Sequence, residues 1–166
     1  MLRSSSRCRR ALAVATAATA CVVAVGLTGA GASQTTSQDG ITRTILAQTQ
    51  PANAPGQTLY LQEVRIAPKA KLATHLHEGT QIASIRSGVL TYDIVSGTAT
   101  VTRRNGTTED ATGPVTIKLR PGDSILETPA VVHFGSNSGK KPVVIFLSSL
   151  LADGAPLATP VTTPPS

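Results

Sequence analysis

Short stretches of alternating apolar and polar residues, separated by turn residues, dominate the chain between residues 58 and 150. Alternation with a period of two is typical of strands whose two faces meet different surroundings. The predicted strands are 59–66, 81–86, 89–95, 98–104, 115–119, 124–128, 131–135 and 142–149. Asn105-Gly106 is the strongest short hairpin signal in the chain. No segment has the period of a long amphipathic helix, so the pattern predicts an all-β sandwich or barrel.

The faces of these strands are assigned only in part by the alternation. Leu59, Leu61 and the polar Glu63 share one face of the first strand. Aromatic residues make up 2% of the chain, so valine, isoleucine and leucine must fill the core. Three larger side chains are candidates to line the barrel, although parity alone does not decide their face: Tyr92, Glu127 and Phe146.

The first 32 residues have the composition of an export signal. Residues 1–10 contain four arginines and no acidic residue, and residues 11–29 are mostly small and apolar. Ala30-Gly31-Ala32 then supplies the small residues that a signal peptidase reads. We therefore expect a signal peptide at 1–32, cleavage before Ser33 and a secreted or extracytoplasmic protein.

The export route is left open by the residues. Arg9-Arg10 resembles a twin-arginine signal, and an ordinary secretory signal is the alternative. Cys21 allows a lipoprotein, although Ala18 stands where that signal prefers leucine. The apolar run is rich in alanine, threonine and glycine, which insert weakly into a bilayer. We expect no stable membrane span after removal of the signal.

Removal of the signal changes the charge and the cysteine content. The whole chain carries +6 from 15 basic and 9 acidic residues. Four of the basic residues lie in the signal, which leaves 11 basic and 9 acidic residues and a net charge of +2. This small charge gives no support to a nucleic-acid partner. Both cysteines also lie in the signal, so the remaining chain has no disulfide and no thiolate ligand.

Composition divides the remaining chain into three parts. Residues 33–57 are predicted to be a leader, flexible over 33–39, in which 41–46 alternates like a strand that joins its own sheet or a neighbour's. Residues 58–150 form the predicted barrel. Residues 151–166 are rich in proline, threonine and alanine without an apolar period, so we expect a disordered tail.

The three histidines of the chain are the strongest chemical signal. His75 and His77 are spaced i and i+2, which on a strand directs both imidazoles to one face. Gln81 follows a short turn and offers an amide oxygen, and His133 comes from a distant strand. Imidazoles that converge from separate strands indicate a transition-metal site.

Residues 69–88 resemble the first sequence motif of the cupins. That motif runs Gly, five residues, His-x-His, three or four residues, Glu, six residues, Gly. His75, His77 and Gly88 match it, Lys69 replaces the first glycine, and Gln81 stands at the position of the glutamate.

Residues 122–137 resemble the second cupin motif, which runs Gly, five residues, Pro-x-Gly, two residues, His, three residues, Asn. Gly122, His133 and Asn137 match in register, whereas Pro129 lies one place late and Ala130 replaces the second glycine. The two motifs in this order identify the chain as similar to small single-domain cupins, over about residues 58–149.

The resemblance implies a single cupin barrel, a double-stranded β-helix or jelly roll. It also implies one divalent transition metal (Fe, Mn, Ni, Zn or Cu) held by His75, His77, His133 and Gln81. A neutral glutamine leaves the metal charge uncompensated and favours an anionic co-ligand. The alternatives are that Gln81 lies beside the ligands, that Glu78 from the same loop replaces it, or that the barrel has lost its metal.

Two functions remain as hypotheses. The first is a secreted metal-dependent enzyme of dioxygenase, decarboxylase or isomerase type that acts on a small organic substrate. The second is a non-catalytic cupin that binds a small molecule for sensing, scavenging or storage. A titratable side chain beside an open metal position would favour the enzyme. We also expect a homodimer, because a cupin barrel leaves a sheet face and edges that need cover.

Overall fold

The computed structural model describes residues 34–162, and these residues form strands and turns without a helix. No helix within this range is long and apolar enough to cross a membrane. The predicted signal at 1–32 lies outside the described residues. The strands are β1 (Gln34–Gln38), β2 (Ile41–Thr49), β3 (Gln57–Ile66), β4 (His75–Leu76), β5 (Gly79–Ser87), β6 (Leu90–Ser96), β7 (Thr98–Thr102), β8 (Thr108–Thr112), β9 (Val115–Leu119), β10 (Ser124–Glu127), β11 (Val132–Ser136), β12 (Val143–Ala152) and β13 (Thr159–Pro160).

The strands form two antiparallel sheets. The larger sheet has the order β1-β2-β3-β12-β5-β10-β7-β8, and the smaller one has the order β13-β4-β11-β6-β9. Strands that are distant in sequence, such as β3 and β12, lie side by side, as in a jelly roll. The structure therefore confirms the predicted all-β class and the jelly-roll architecture.

The core lies between the two sheets and consists mainly of branched aliphatic side chains, as the scarcity of aromatic residues predicts. Its fully buried members include Ile66, Ile85, Ile94, Val101, Leu119, Ile125 and Val143. One end of this interior is polar instead of apolar. All three histidines are buried there together with Gln62, Gln81 and Glu127.

The residues of β3 alternate between two faces, as the sequence pattern predicts. The face that carries Leu59 and Leu61 is the outer face of the sheet. Leu59 and Leu61 are 38% and 44% exposed, whereas Gln62 is completely buried. The polar side chain is buried because it hydrogen-bonds within the site described below. The two leucines instead contribute to an apolar outer surface of the larger sheet.

The segment before the barrel is ordered in the described residues. Residues 34–38, predicted as part of a flexible leader, form β1, which pairs with β2. β2 contains the predicted strand 41–46 and pairs with β3 of the same chain. The strand therefore joins the sheet of its own chain, which is one of the two arrangements predicted for it. As a result, Arg43 lines the interior cavity.

The end of the chain differs from the disordered tail predicted for 151–166. β12 extends to Ala152, and β13 pairs with β4 at His75 and Leu76. The amide of Val161 donates a 2.9 Å hydrogen bond to the carbonyl of Thr74. Backbone pairing of this kind does not require apolar residues at regular spacing, so the composition of this segment did not predict it. Residues 163–166 lie outside the described range.

The backbone at the first glycine position of the cupin motif has a conformation that favours glycine. Lys69, at the place of the first glycine of the motif, has a φ angle of 68°. This left-handed conformation is costly for a residue with a Cβ atom and is free of that cost for glycine. The lysine keeps the turn, and its ammonium group donates a hydrogen bond to the carbonyl of Ser138.

Candidate metal centre

The two-residue strand β4 and the strand β11 bring the histidines together. His75 pairs directly with His133 across the two antiparallel strands. His77 follows β4 on the same side of the chain. The exposed fractions of His75, His77 and His133 are 6%, 1% and 3%. The convergence that the spacing predicts is therefore present in the fold.

The three imidazole rings surround a common point. The ring centroids of His75 and His133 are 4.4 Å apart, and those of His75 and His77 are 5.0 Å apart. One nitrogen of each ring lies within 4.8 Å of the corresponding nitrogens of the others. Within the described residues, these three side chains form a group that is able to hold a metal ion.

Backbone carbonyls fix the orientation of each ring. The Nδ1 atoms of His75 and His77 lie 2.8 Å from the carbonyl oxygens of Ala73 and Leu157. Nδ1 of His133 lies 3.3 Å from the carbonyl oxygen of Val131. A carbonyl oxygen only accepts, so each neutral ring carries its proton on Nδ1 and leaves a lone pair on Nε2. Metal-binding histidines are held in this way, so the donor set fits a divalent transition metal.

Burial favours the neutral form of His75 and His133. The pKa of His75 falls to about 3, first because of burial and then because of the neighbouring His133, despite the opposing carbonyl of Ala73. Burial also lowers the pKa of His133, and the negative charge of Glu127 opposes that shift. Neutral imidazole is the form that binds a metal ion.

Glu127 is a member of the site that the sequence pattern named only as a candidate for the barrel lining. Its carboxylate Oε2 lies 3.3 Å from Nε2 of His77, and Oε1 lies 3.5 Å from Nε2 of His133. The side chain is 2% exposed. Burial raises the pKa of Glu127, but the neighbouring imidazoles of His133 and His77 and the hydroxyl of Tyr92 outweigh it and lower that pKa. The position of Glu127 two residues after Ile125, which places both side chains on the buried face of β10, was the sequence feature that could have indicated this role.

Gln81, expected from the sequence as an oxygen ligand or as a residue beside the ligands, lies beside the histidines with its amide nitrogen toward His77. Its Nε2 is 3.0 Å from Nε2 of His77 and donates a 2.9 Å hydrogen bond to Oε2 of Glu127. Its Oε1 accepts a 2.7 Å hydrogen bond from the hydroxyl of Ser149. The nitrogen of the amide, and not the oxygen, faces the site.

The orientation of this amide follows from a chain of hydrogen bonds that begins at Arg43. Arg43 donates to Oε1 of Gln62 at 3.3 Å, and Nε2 of Gln62 donates to the hydroxyl of Ser149 at 3.2 Å. A guanidinium only donates and a carboxylate only accepts. With Arg43 at one end and Glu127 at the other, both amides between them have a single consistent orientation.

Tyr92 completes the surroundings of the carboxylate. Its hydroxyl donates a 2.8 Å hydrogen bond to Oε1 of Glu127, and its ring stacks on that of His133 with centroids 5.0 Å apart. Burial, followed by the charge of Glu127, raises the pKa of Tyr92, so the phenol stays protonated. Tyr92 therefore lines the barrel.

The other two candidates from the sequence lie elsewhere. Phe146 is half-buried, and the guanidinium of Arg86 lies 5.4 Å from its ring centroid. Glu78 is exposed, and its carboxylate accepts a 3.0 Å hydrogen bond from Thr159. Neither side chain belongs to the group of converging ligands.

A small cavity adjoins the histidines. The space open to water-sized molecules is about 40 Å³, which is room for about three water molecules. Its polar lining comes from the three histidines, Gln81, Glu127, Tyr92 and Arg43, and its apolar lining includes Leu72, Leu90 and Ile125. A ligand that reaches the Nε2 atoms is therefore small or enters as the cavity opens.

Comparisons with known proteins give a fold and no closer relationship. No protein-family model matches the chain, and no curated protein matches it. Among solved structures, an oxalate oxidase is 18% identical with a TM-score of 0.51, over 78% of this chain and 62% of that one. Drosophila melanogaster CENP-C bound to CAL1 is 16% identical with a TM-score of 0.50, over 70% of this chain and 79% of that one.

A protein from Desulfitobacterium hafniense DCB-2 is described as a member of the cupin superfamily. It is 13% identical with a TM-score of 0.48, over 70% of this chain and 82% of that one. The order of strands in two antiparallel sheets and the likeness to the oxalate oxidase and CENP-C structures support the predicted jelly roll. The chain has the cupin fold.

Proposed function

We propose that the chain is a metal-dependent cupin enzyme that acts on a small, anionic organic substrate. The observation that carries this proposal is the convergence of three Nε2 lone pairs from His75, His77 and His133 on one point beside a cavity. Each ring has its other nitrogen held by a carbonyl oxygen. The residues fit a divalent transition metal, and the type of metal is left open.

A bound metal supplies Lewis acidity, and with a redox-active ion also oxygen activation, to a substrate that chelates through oxygen. The chain's own residues provide the surroundings for that chemistry. The histidines hold the ion, and the carbonyls behind them keep the rings in one orientation. The apolar side chains Leu72, Leu90 and Ile125 limit the water near the site. Tyr92 keeps its phenolic proton next to the stacked ring of His133.

The size and charge of the cavity support a small anion as substrate. Its volume of about 40 Å³ excludes a large ligand in this conformation. Arg43 lines it and supplies a guanidinium, which pairs well with a carboxylate. The fold neighbour named an oxalate oxidase makes oxalate a reasonable first probe, followed by other small 2-oxo and dicarboxylic acids.

The metal site is tested by metal analysis of the mature protein and of His75→Ala, His77→Ala and His133→Ala. We expect one divalent ion per chain in the wild type and loss of most of it in each variant. Glu78→Gln is the matched control, since it changes a loop residue outside the ligand group and should keep the ion. Unchanged metal content in all three histidine variants would show that the site is elsewhere.

The non-catalytic alternative is supported by the small size of the same cavity. Turnover separates it from the enzyme: metal-loaded protein is incubated with each probe, and oxygen consumption and product formation are followed. An enzyme converts at least one probe, and Arg43→Gln raises its KM. Saturable binding of a probe without turnover would establish the binding protein instead.

Export is part of the proposal. The support is the arginine-containing start, the apolar run and the Ala30-Gly31-Ala32 site in the first 32 residues. Mass analysis of the intact exported protein should give a chain that begins at Ser33. A lipid-modified chain that begins at Cys21 would establish a lipoprotein, and a full-length chain would contradict cleavage.

A further inference from the structure

We infer that Glu127 is the carboxylate ligand of the metal site and that Gln81 is a positioning residue that holds it. This assignment rests on the proposed metal-binding function and deepens it. It moves the oxygen ligand from the first sequence motif, where the resemblance placed it, to the strand β10 that leads into the second motif.

Distances support this assignment. Two ligand atoms that each lie about 2.1 Å from one ion are about 3.0–3.4 Å apart at octahedral to tetrahedral angles. The carboxylate oxygens of Glu127 lie 3.3 Å from Nε2 of His77 and 3.5 Å from Nε2 of His133. The distance to His77 lies within this range and the distance to His133 just above it, and each of the two histidines faces a different oxygen of the same carboxylate.

The distribution of protons gives a second argument. The carbonyl oxygens of Leu157 and Val131 accept hydrogen bonds from Nδ1 of His77 and His133, so the Nε2 atoms of both rings face Glu127. An imidazole lone pair and a carboxylate repel one another unless a donor or a cation lies between them. Gln81 supplies such a donor beside His77, and a cation would serve both histidines. A divalent ion can bind His77, His133 and Glu127 at once, whereas a single proton can be shared only between Glu127 and one of the histidines.

The carboxylate of Glu127 is fixed in position by hydrogen bonds, as metal-binding carboxylates usually are. Gln81 donates to Oε2 and Tyr92 donates to Oε1. Ligating carboxylates are usually hydrogen-bonded by such neighbours. The amide oxygen of Gln81 accepts a hydrogen bond from Ser149, and the donor Arg43 sets the direction of the series of hydrogen bonds that leads to Gln81. Gln81 is therefore a donor to the ligand and not a ligand oxygen.

The assignment changes the charge expected at the metal. Three neutral histidines leave the full +2 charge of the ion, which demands an anionic partner. Glu127 offsets one unit of that charge. The site then keeps its ion without a substrate anion, and its affinity for small anions is weaker than that of a site built from three histidines alone.

The test compares Glu127→Gln with Glu78→Gln, an identical change in the exposed loop residue. Affinities for Zn²⁺ and Co²⁺ are measured by competition against a chelator, and the visible spectrum of the Co²⁺ protein reports its ligands. Loss of an outer hydrogen-bond partner typically costs about 10–100-fold in affinity. We expect Glu127→Gln to exceed this, with a changed Co²⁺ spectrum, and Glu78→Gln to have no effect.

The exchange variant Gln81→Glu/Glu127→Gln returns the carboxylate to the position expected from the first motif. It should recover most of the affinity that Glu127→Gln loses, because paired residues on adjacent strands project to the same side. Circular dichroism of each variant confirms folding. If Glu127→Gln does not fold, infrared difference spectra of the wild type decide: Zn²⁺ binding must shift a carboxylate stretching band.

The outcomes separate the two proposals. Unchanged affinity and an unchanged Co²⁺ spectrum in Glu127→Gln, with metal still lost in His77→Ala, would overturn the role of Glu127 and leave the three-histidine site intact. Lost turnover with unchanged affinity would likewise overturn it and make Glu127 an acid–base group. Metal retained in every histidine variant would instead refute the proposed site.

Discussion

Gln81 and Glu127 face each other on the adjacent antiparallel strands β5 and β10, and the amide of Gln81 donates a 2.9 Å hydrogen bond to the carboxylate of Glu127. Directly paired residues on neighbouring strands have Cβ atoms about 5 Å apart and project to the same side. A carboxylate on either strand therefore reaches nearly the same point. The carboxylate that the first motif lacks at Gln81 is therefore supplied by Glu127 on the neighbouring strand.

Replacement of Gln81 by glutamate should tighten metal binding and weaken the metal-free fold. A second carboxylate beside Glu127 repels it in the absence of a cation, and the two then share a proton. A divalent ion relieves this repulsion. The added carboxylate should outweigh the lost hydrogen bond from Gln81 to Glu127, so we expect tighter retention against a chelator and a lower melting temperature after metal removal. Equal or weaker retention would show that side chain 81 points away from the ion.

The end of the chain should contribute to metal affinity, because the carbonyl of Leu157 holds Nδ1 of His77 at 2.8 Å. Deletion of residues 156–166 removes this partner and the pairing of β13 with β4. The expected loss of affinity is about 10–100-fold, as for other groups that orient a ligand. Chelator competition measures it.

Thr159→Val is the control for the deletion. It removes the hydrogen bond from the hydroxyl to Glu78 and leaves the backbone pairing in place. Its affinity should equal that of the wild type. An undiminished affinity in the deletion itself would mean that His77 keeps its orientation without the carbonyl.

Asp123 should stabilise the fold at neutral pH. It is 5% exposed, and its carboxylate accepts hydrogen bonds from the amides of Arg104 and Arg120 and from the guanidinium of Arg103. Burial raises the pKa of Asp123, but these three donors outweigh it and lower the pKa. Asp123→Asn should cost about 1–3 kcal/mol of unfolding free energy at pH 7.

The pH dependence of this effect has a definite sign. The folded pKa of Asp123 is below the unfolded value of about 3.9, so its contribution is complete above that value and falls as the pH decreases through the folded pKa. Denaturant unfolding of the wild type and of Asp123→Asn should thus converge at acidic pH. Asp110→Asn, an exposed control, should change stability by less than about 0.5 kcal/mol. A constant difference down to pH 2 would refute the assignment.

The outer face of the larger sheet should mediate a homodimer. Leu61, Ser148 and Ile82 pair in a row across β3, β12 and β5, and Leu61 and Ile82 are 44% and 53% exposed. These two exposed apolar side chains on either side of Ser148 are candidates for burial against a second copy. Light scattering of the mature chain at micromolar concentration should give twice the monomer mass.

Leu61→Ser/Ile82→Ser should give a monomer with unchanged metal content, since both side chains point away from the histidines. Deletion of residues before Gln57 removes β1 and β2 and tests whether strand exchange contributes instead. A monomeric mass for the intact mature protein would exclude the dimer, and a dimer that persists in the double variant would place the interface elsewhere.

The sequence by itself determined the fold class and most of the strands, because alternation and turn residues are local signals. It also determined that His75, His77 and His133 would meet, since spacing directs the first two to one side and the second motif adds the third. The left-handed backbone at Lys69, by contrast, is known only from the fold, and it explains why the motif has glycine at this position.

Tertiary structure alone decided which groups surround the histidines. The pairing of Glu127 with Gln81 depends on the register between β5 and β10, strands separated by about 40 residues of chain. The hydrogen-bond chain from Arg43 to Glu127 depends on β2, β3, β12, β5 and β10 lying in one sheet. The order of residues 151–162 depends on backbone pairing with β4, which uses groups common to every residue and therefore leaves no pattern in the sequence.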